Sequence, residues 1–442
     1  MKKILFRAAL LLTLFAYPDS SRAQKVVIDE PNSIFFISSE QGNGTIINIM
    51  NNREQMRFHD PKAPRFLLTD QKGKFALGLG GYVRTTAEYD WNGIVRNIDF
   101  YPALISQGDK ADFARRQFQM DATTSTLFLK LVGHTRHLGD FVVYTAGNFR
   151  GTGRAFKLHN AYIQFLGFTI GYNYGLFTDA AALPPTIDFA GPNGSVFYRT
   201  TQLSYVFDKV KHWKIGVSME MPQINATTDS YTAVNTQRMP DFALSAGYSW
   251  NGGNHVKLGG ILRNLTYQNR VSEKVCNLTG FGVQASTTFH LTPQLQMYGQ
   301  FNYGRGIGSF LNDISCLNAD AVPHPQEEGK MQTLPMLGWY ASAQYNFCPA
   351  FFVSATYSLC RLYSENGYPS TQPLAYRKGQ YLATNAFCSI NSNLQVGVEY
   401  LRGWRADFQY RTRHANRINL LVQYSFWQLK RINQKDFESE RL

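Results

Sequence analysis

Apolar and polar residues alternate along most of this chain. Near its end, Ile418, Leu420, Val422, Tyr424 and Phe426 share one parity, and Asn419, Leu421, Gln423 and Ser425 share the other. Phe75, Leu77, Leu79, Val83 and Tyr89 stand likewise against Arg84, Thr86 and Glu88. A period of two is the mark of a β-strand. It recurs at 242–250, 281–290, 295–303 and 337–347. In these segments the polar face is rich in Gln, Asn, Ser, Thr and Gly, and the apolar face carries terminal aromatics. Soluble antiparallel sheets bury the apolar face and put charge outside. The inverted pattern here points to lipid outside and water inside. Lipid tolerates no unpaired backbone, so such strands close into a barrel.

Short connections at 291–293, 348–350 and 390–393 alternate with long ones at about 91–113, 178–197, 222–239, 306–333, 364–377 and 405–414. Periplasmic turns and extracellular loops alternate in this way. The pattern predicts strands at about 74–90, 114–131, 138–149, 155–166, 168–177, 198–208, 212–221, 240–250, 255–270, 278–290, 294–305, 334–347, 350–363, 378–389, 393–404 and 415–426. The expected fold is therefore all-β, a 16-stranded antiparallel transmembrane β-barrel with short periplasmic turns and long extracellular loops. An even count returns both ends to the periplasm, and a barrel this wide encloses an aqueous channel.

Residues 1–23 read as a secretory signal peptide: Lys2, Lys3 and Arg7, an apolar run from Ala8 to Tyr17, then Ser21-Arg22-Ala23. No other uncharged apolar stretch is long enough for a transmembrane helix. Residues 24–73 alternate poorly and are expected to be a periplasmic N-terminal extension. The barrel covers 74–426, and 427–442 is a charged periplasmic tail. Aromatics make up 14% of the chain, suited to interface girdles. The formal charge is +13, and the signal holds four cations and one acid, so the mature chain keeps +10. This excess suits anionic solutes or lipopolysaccharide. Nucleic acid is not an expected partner, since the chain is exported and carries no binding motif. Five cysteines leave at least one unpaired, and Cys276 with Cys316 is one candidate bridge between loops. No CxxC, HExxH, GxSxG or P-loop occurs, so no cofactor, metal or catalytic group is expected.

Residues 172–194 read YNYGLFTDAAALPPTIDFAGPNG. This resembles the loop after the fifth strand of DcaP-like outer-membrane porins, G-x-x-x-x-x-F-x-D followed by A-L-P-x-T-x-D-F-x-G-P. Gly81-Tyr82-Val83-Arg84 resembles the family's first strand, and Ala114-Arg115-Arg116-Gln117 its second. Lys157-Leu158-His159-Asn160-Ala161-Tyr162 resembles the fourth, where the family prefers R-L-R-H-A-Y. Glu220-Met221-Pro222, Gly397-Val398-Glu399-Tyr400, Ala415-Asn416-Arg417 and Tyr424-Ser425-Phe426 also fit. The resemblance spans about 75–426 and implies a homotrimeric outer-membrane diffusion channel favouring small organic anions such as dicarboxylates.

Candidate residues follow from parity and from this resemblance. Lumen-facing cations are Arg84, Lys214, Lys257 and Arg263, set against Glu88, Asp121, Glu220 and Glu399, so the wall itself is balanced. Arg116, Lys157 and His159 add positive charge if their strands face as the family suggests. The third outer loop, about 178–197, carries Pro184-Pro185 and Gly-Pro and Asn-Gly turns that stiffen it. It is expected to fold inward, with Asp179 and Asp188 facing the solute or bonding the wall. Arg402, Arg405, Arg411, Arg413 and Arg417 cluster around the last loop and either steer anions at the mouth or meet lipopolysaccharide phosphates. The expected activity is passive diffusion. A non-selective porin and an adhesin or matrix-anchoring barrel are the alternatives, and a membrane hydrolase lacks a local motif.

Overall fold

Lipid-facing side chains and the need to pair every backbone group together dictate the architecture. In the last strand Ile418, Leu420, Val422 and Tyr424 are exposed, while Asn419, Leu421 and Ser425 between them are buried. The same strand pairs antiparallel with the first, Ile418 opposite Tyr89 and Tyr424 opposite Val83, which closes the sheet into a ring. The structure, a computed structural model, describes residues 35–38, 56–61, 64, 66–69, 75–107, 116–137, 139–250 and 253–426. Residues 1–23, expected to be a signal peptide, most of the expected 24–73 extension and the expected 427–442 tail lie outside the described residues.

Sixteen strands form the ring. They are β1 (Phe75–Trp91), β2 (Gln117–Asp121 and Thr126–Thr135), β3 (Gly139–Asn148), β4 (Lys157–Phe165), β5 (Phe168–Tyr174), β6 (Arg199–Phe207), β7 (Trp213–Glu220) and β8 (Asp241–Trp250). The second half comprises β9 (Asn254–Asn269), β10 (Lys274–His290), β11 (Leu295–Arg305), β12 (Pro335–Cys348), β13 (Phe351–Leu362), β14 (Tyr376–Ser389), β15 (Leu394–Asp407) and β16 (Thr412–Ser425). Each pairs antiparallel with its neighbours in chain order. The short turns lie on one side. At 166–167 Leu166 and Gly167 both take positive φ, 48° and 84°, the geometry of a two-residue hairpin turn. The outer connections are L1 (92–116), L2 (149–156), L3 (175–198), L4 (221–240), L5 (270–273), L6 (306–334), L7 (363–375) and L8 (408–411).

Three sequence expectations are corrected. L8 is not a long loop at 405–414: β15 and β16 pair as far as Ala406 opposite Thr412, and a four-residue turn joins them. The second strand is interrupted, with 122–125 leaving the ladder. Cys276 and Cys316 do not bridge; Cys276 sits on β10, Cys316 in L6, and all five cysteines are free.

The interior is not simply wet. L3 and L6 fold into it and bury an apolar core of Phe177, Val196, Ile307, Phe310, Leu311 and Ile314. Phe177 and Phe310 meet edge to face at 5.8 Å. L1 packs Val95, Phe100 and Ile105 onto Tyr381 and Leu401 of the wall. Burying each such side chain contributes about 1.5–3 kcal/mol, enough to hold loops inside a lumen that strand alternation alone would leave to water.

Candidate functional site: a cationic lumen beside the inward loop

L3 leaves β5 through Gly175, where the Thr178 amide bonds the Gly175 carbonyl at 2.9 Å. Ala180–Ala182 form one 3-10 turn. Pro184 and Pro185 then fix the chain in an extended course, which no helix can follow. The loop therefore presents its backbone polar groups outward to the barrel wall, and the wall's polar face answers them. The Glu399 carboxylate accepts from the amides of Ile187 at 2.8 Å and Asp188 at 2.6 Å. Asn385 and Ser354 bond the Pro185 carbonyl, and Tyr340 bonds that of Ala182. Ser358 Oγ accepts from the Gly194 amide and Gln300 Oε1 from the Val196 amide. Glu220 accepts from the Leu176 amide at 3.0 Å. L3 is thus tied to β7 and to each strand from β11 to β15.

The two loop acids serve this architecture. Asp179 accepts from Ser286 Oγ at 2.6 Å and lies 2.8 Å from His255 Nε2. Burial opposes its charge, but His255, Lys257 and Ser286 outweigh it and hold the carboxyl at about 2. Asp188 accepts from the Phe100 amide of L1 and from the Tyr381 hydroxyl. Burial, then the carboxylates of Asp99 and Glu399, push it up. Neither acid is bare to the lumen.

Between L3 and the wall of β1 to β6, cations gather around one ring. The guanidinium carbons of Arg57, Arg84 and Arg150 lie 4.3, 5.4 and 5.7 Å from the Phe189 centroid. The rings of His59 and His159 lie 5.1 and 6.3 Å from it. An aromatic face attracts cations through its quadrupole. Arg150 is paired with Asp99 at 2.8 Å. Arg84 is different. It is buried, it donates from Nη2 to the Ile187 carbonyl, and its Nε and Nη1 have no hydrogen-bond partner among the described residues. Burial, then Arg84 and Arg57, keep His59 well below its ordinary pKa and so neutral.

Arg57 and His59 belong to 56–61, a piece of the expected periplasmic extension. It does not stand apart from the barrel. Phe58 packs on Phe352 and Phe387, the His59 carbonyl accepts from Tyr82, and Arg57 Nη1 bonds the Phe189 carbonyl at 3.0 Å. Asp60 accepts from Tyr174 Oη at 2.9 Å and lies 3.4 Å from Arg199 Nη2.

The sequence-predicted residues fall into distinct places. Arg84 and His159 join the Phe189 cluster; His159 is the extra residue of a bulge opposite Ala146 and Gly147. Lys257 bonds the Thr178 carbonyl at 2.8 Å, and Glu220 caps L3. Lys214 lines a cavity of about 290 Å³ in the lumen below Asp60. Lys157 opens β4 and is exposed, and Arg116 is exposed beside Arg96. Arg263 is buried between Asp241 at 3.0 Å and Asp320 at 3.2 Å, holding L6.

The expected steering set divides. Arg405 bonds the Ile105 carbonyl, Arg411 pairs with Asp407 at 2.9 Å, and Arg413 stands opposite Arg405 on β16. Arg417 is fully buried, bonded to Asp90 and to the carbonyls of Val95, Asn97 and Ile98, so it anchors L1 and is shut off from the mouth. Sequence reasoning missed Arg57, Arg150, Phe189 and Arg199. Strict alternation would send Tyr174 and Arg199 to lipid with Ile170 and Leu203. At the strand ends, where the chain enters and leaves L3, both meet Asp60 inside. Among the described residues no group of three or more His, Cys, Asp or Glu is arranged to hold a metal ion.

A family model described as DcaP outer membrane protein matches residues 63–426. The outer membrane channel DcaP of Acinetobacter baumannii has a TM-score of 0.71 at 18% identity, covering 81% of this chain and 99% of that one. An anion-selective porin from Comamonas acidovorans has 0.53 at 10% identity, covering 80% and 100%. The trimer form of OmpT, an outer membrane protein of Vibrio cholerae, has 0.50 at 10% identity, covering 80% and 99%. No curated protein sequence matches the chain.

Proposed function

Given that this chain belongs to the DcaP outer membrane protein family and is an outer-membrane channel, we propose that it passes small hydrophilic anions, dicarboxylates among them, by diffusion. The observation that carries this reading is the cluster around Phe189. Three guanidinium groups stand within 6 Å of one ring there, and Nε and Nη1 of Arg84 have no hydrogen-bond partner among the described residues. A solute passing between L3 and the β1–β6 wall meets that field in a confined space, where low dielectric strengthens it. L3 acts as the constriction, because its wall tethers leave it little freedom to swing out. The lumen wall elsewhere is nearly balanced in charge, so preference is set locally.

The channel works as a homotrimer, its outward apolar rows shared between lipid and neighbouring copies, with lipopolysaccharide at the outer rim. The reversal potential of the reconstituted channel in a KCl gradient tests the reading. Anion preference that falls in Arg84→Gln supports it. Cation preference of the unaltered protein refutes it. The balance of lumen-facing Arg84, Lys214, Lys257 and Arg263 against Glu88, Asp121, Glu220 and Glu399 favours a second reading, a non-selective porin, which predicts a reversal potential near zero.

A further inference from the structure

The segment 56–61 lies across the lumen without a ladder to hold it. Among the described residues its one backbone–backbone hydrogen bond is internal, from the Asp60 amide to the Arg57 carbonyl. Side chains do the rest. The strongest of these grips is on a carboxylate: Asp60 takes Tyr174 Oη at 2.9 and 3.1 Å and Arg199 Nη2 at 3.4 Å. Arg199 also donates to Tyr174 Oη, and its own guanidinium sits 4.2 Å from the Tyr174 centroid. Its Nε has no partner among the described residues. Arg57 closes over the same group at 3.5 Å, from within the segment. Tyr174 and Arg199 are thus a fixed pair of donors on the wall, and what they hold is a carboxylate on a short tether. Beneath it lies the 290 Å³ cavity, lined by Lys130 and Lys214 and by Asp140 and Asp208. L3, by contrast, is fastened through its own backbone amides and carbonyls to β7 and to each strand from β11 to β15.

We propose that Tyr174 and Arg199 form a carboxylate-binding site in the lumen, that Asp60 occupies it as an internal anion, and that 56–61 is a plug which an entering carboxylate solute displaces. The displacement rests on the anion-channel reading above; the plug itself does not. Displacement is an exchange of one carboxylate for another on the same donors, so the charge of the site stays constant. The solute meets competition that depends on the tether. An effective local concentration in the millimolar range is typical of short tethers, so only solutes that add contacts to Lys130 or Lys214, as a second carboxylate can, compete well.

Two variants of the full chain test this in planar bilayers. Replacing 56–61 by a Gly/Ser linker of equal length is expected to raise single-channel conductance in KCl at least twofold. Asp60→Asn, which keeps the segment's size, is expected to lower the succinate concentration that half-blocks the current by about tenfold. Unchanged conductance in the linker variant together with an unchanged succinate midpoint in Asp60→Asn overturns the proposal. The reversal potential of the same channels separates the two readings. Raised conductance with cation preference keeps the plug and removes the carboxylate exchange. Anion preference with neither variant effect removes the plug and keeps the anion channel.

Discussion

Glu399 holds the middle of L3 and makes the loop's attachment measurable. Its carboxylate takes four donors: the amides of Ile187 at 2.8 Å and Asp188 at 2.6 Å, Asn419 at 3.0 Å and Asn385 at 3.2 Å. Glu399→Gln keeps the shape and replaces one acceptor oxygen by an NH2 group. At least one of the four donors then faces another donor. A hydrogen bond to a charged group contributes about 1.5–3 kcal/mol, and a buried donor left unsatisfied costs about 1–3 kcal/mol. A loss of roughly 2 kcal/mol at this tether raises its released population about thirtyfold, at 1.4 kcal/mol per factor of ten. Hydrogen exchange on the solubilised protein reads it directly. Protection of the Ile187 and Asp188 amides should fall by about ten- to a hundredfold. The Gly194 and Val196 amides, held by Ser358 and Gln300, should keep theirs. The substitution also removes one of the charges that raise Asp188, so that carboxyl moves back toward its ordinary value. Unchanged protection at Ile187 and Asp188 would refute the claim that Glu399 fastens the loop.

Other outcomes follow from the same contacts. Arg417→Met strands the buried Asp90 carboxylate and should destabilise the barrel by about 3–5 kcal/mol in thermal unfolding, while leaving the reversal potential unchanged; a selectivity shift without destabilisation contradicts the anchoring role. A Cβ on Gly194 would lie 2.3 Å from the Leu359 carbonyl oxygen and 2.6 Å from the Trp339 amide, so Gly194→Ala should lift L3 from β12 and β13 and increase open-channel current noise, and a quiet channel would speak against that seat. Stability should also depend on pH through the loops. Burial raises Asp313 from 3.8 to about 6 despite its bonds from Tyr376, Ala103 and Asn193; its folded form holds the proton more tightly, so its contribution is full below 3.8 and is lost as pH rises through about 6, an effect on the order of 3 kcal/mol. Asp179, held at about 2, contributes above 3.8 and is lost only as pH falls toward 2. The melting temperature should therefore decline from pH 4 to pH 7, and Asp313→Asn should flatten the decline; an equal decline in both would exclude Asp313 as its source.

The barrel was legible because lipid imposes the alternation. Phe242 to Trp250 and Ile418 to Tyr424 repeat every second residue only where their side chains must meet hydrocarbon. Beyond that layer the hydrogen-bond ladder continues without the signal. Arg405 to Asp407 and Thr412 to His414 are paired strand in the structure, yet their charges read as loop. The inward course of L3 was legible in its prolines and turns. Its partners were not, since Glu399, Ser358 and Gln300 look like any lumen residue until the loop is laid on them. The surroundings of Phe189 and Asp60 were the least legible part. Arg57 sits in a segment with no period, His159 on a bulge that breaks parity, and Arg199 at a strand end where alternation stops orienting side chains.

The seam where β16 meets β1 sets an order of events for assembly. Arg417 and Asp90, paired across it, are 327 residues apart in the chain. Outside this seam the strand pairings of the ring join neighbours in chain order, which can form as each segment arrives. This one cannot exist until the last strand is delivered, and bringing such distant residues together costs about 5 kcal/mol of chain entropy. Until then the growing sheet carries two open edges, both templates for pairing with another chain. The buried Arg417–Asp90 bridge is thus the latch of the ring: it forms last, and a defect in it is felt as failed closure in the membrane before it is felt as a weaker finished channel.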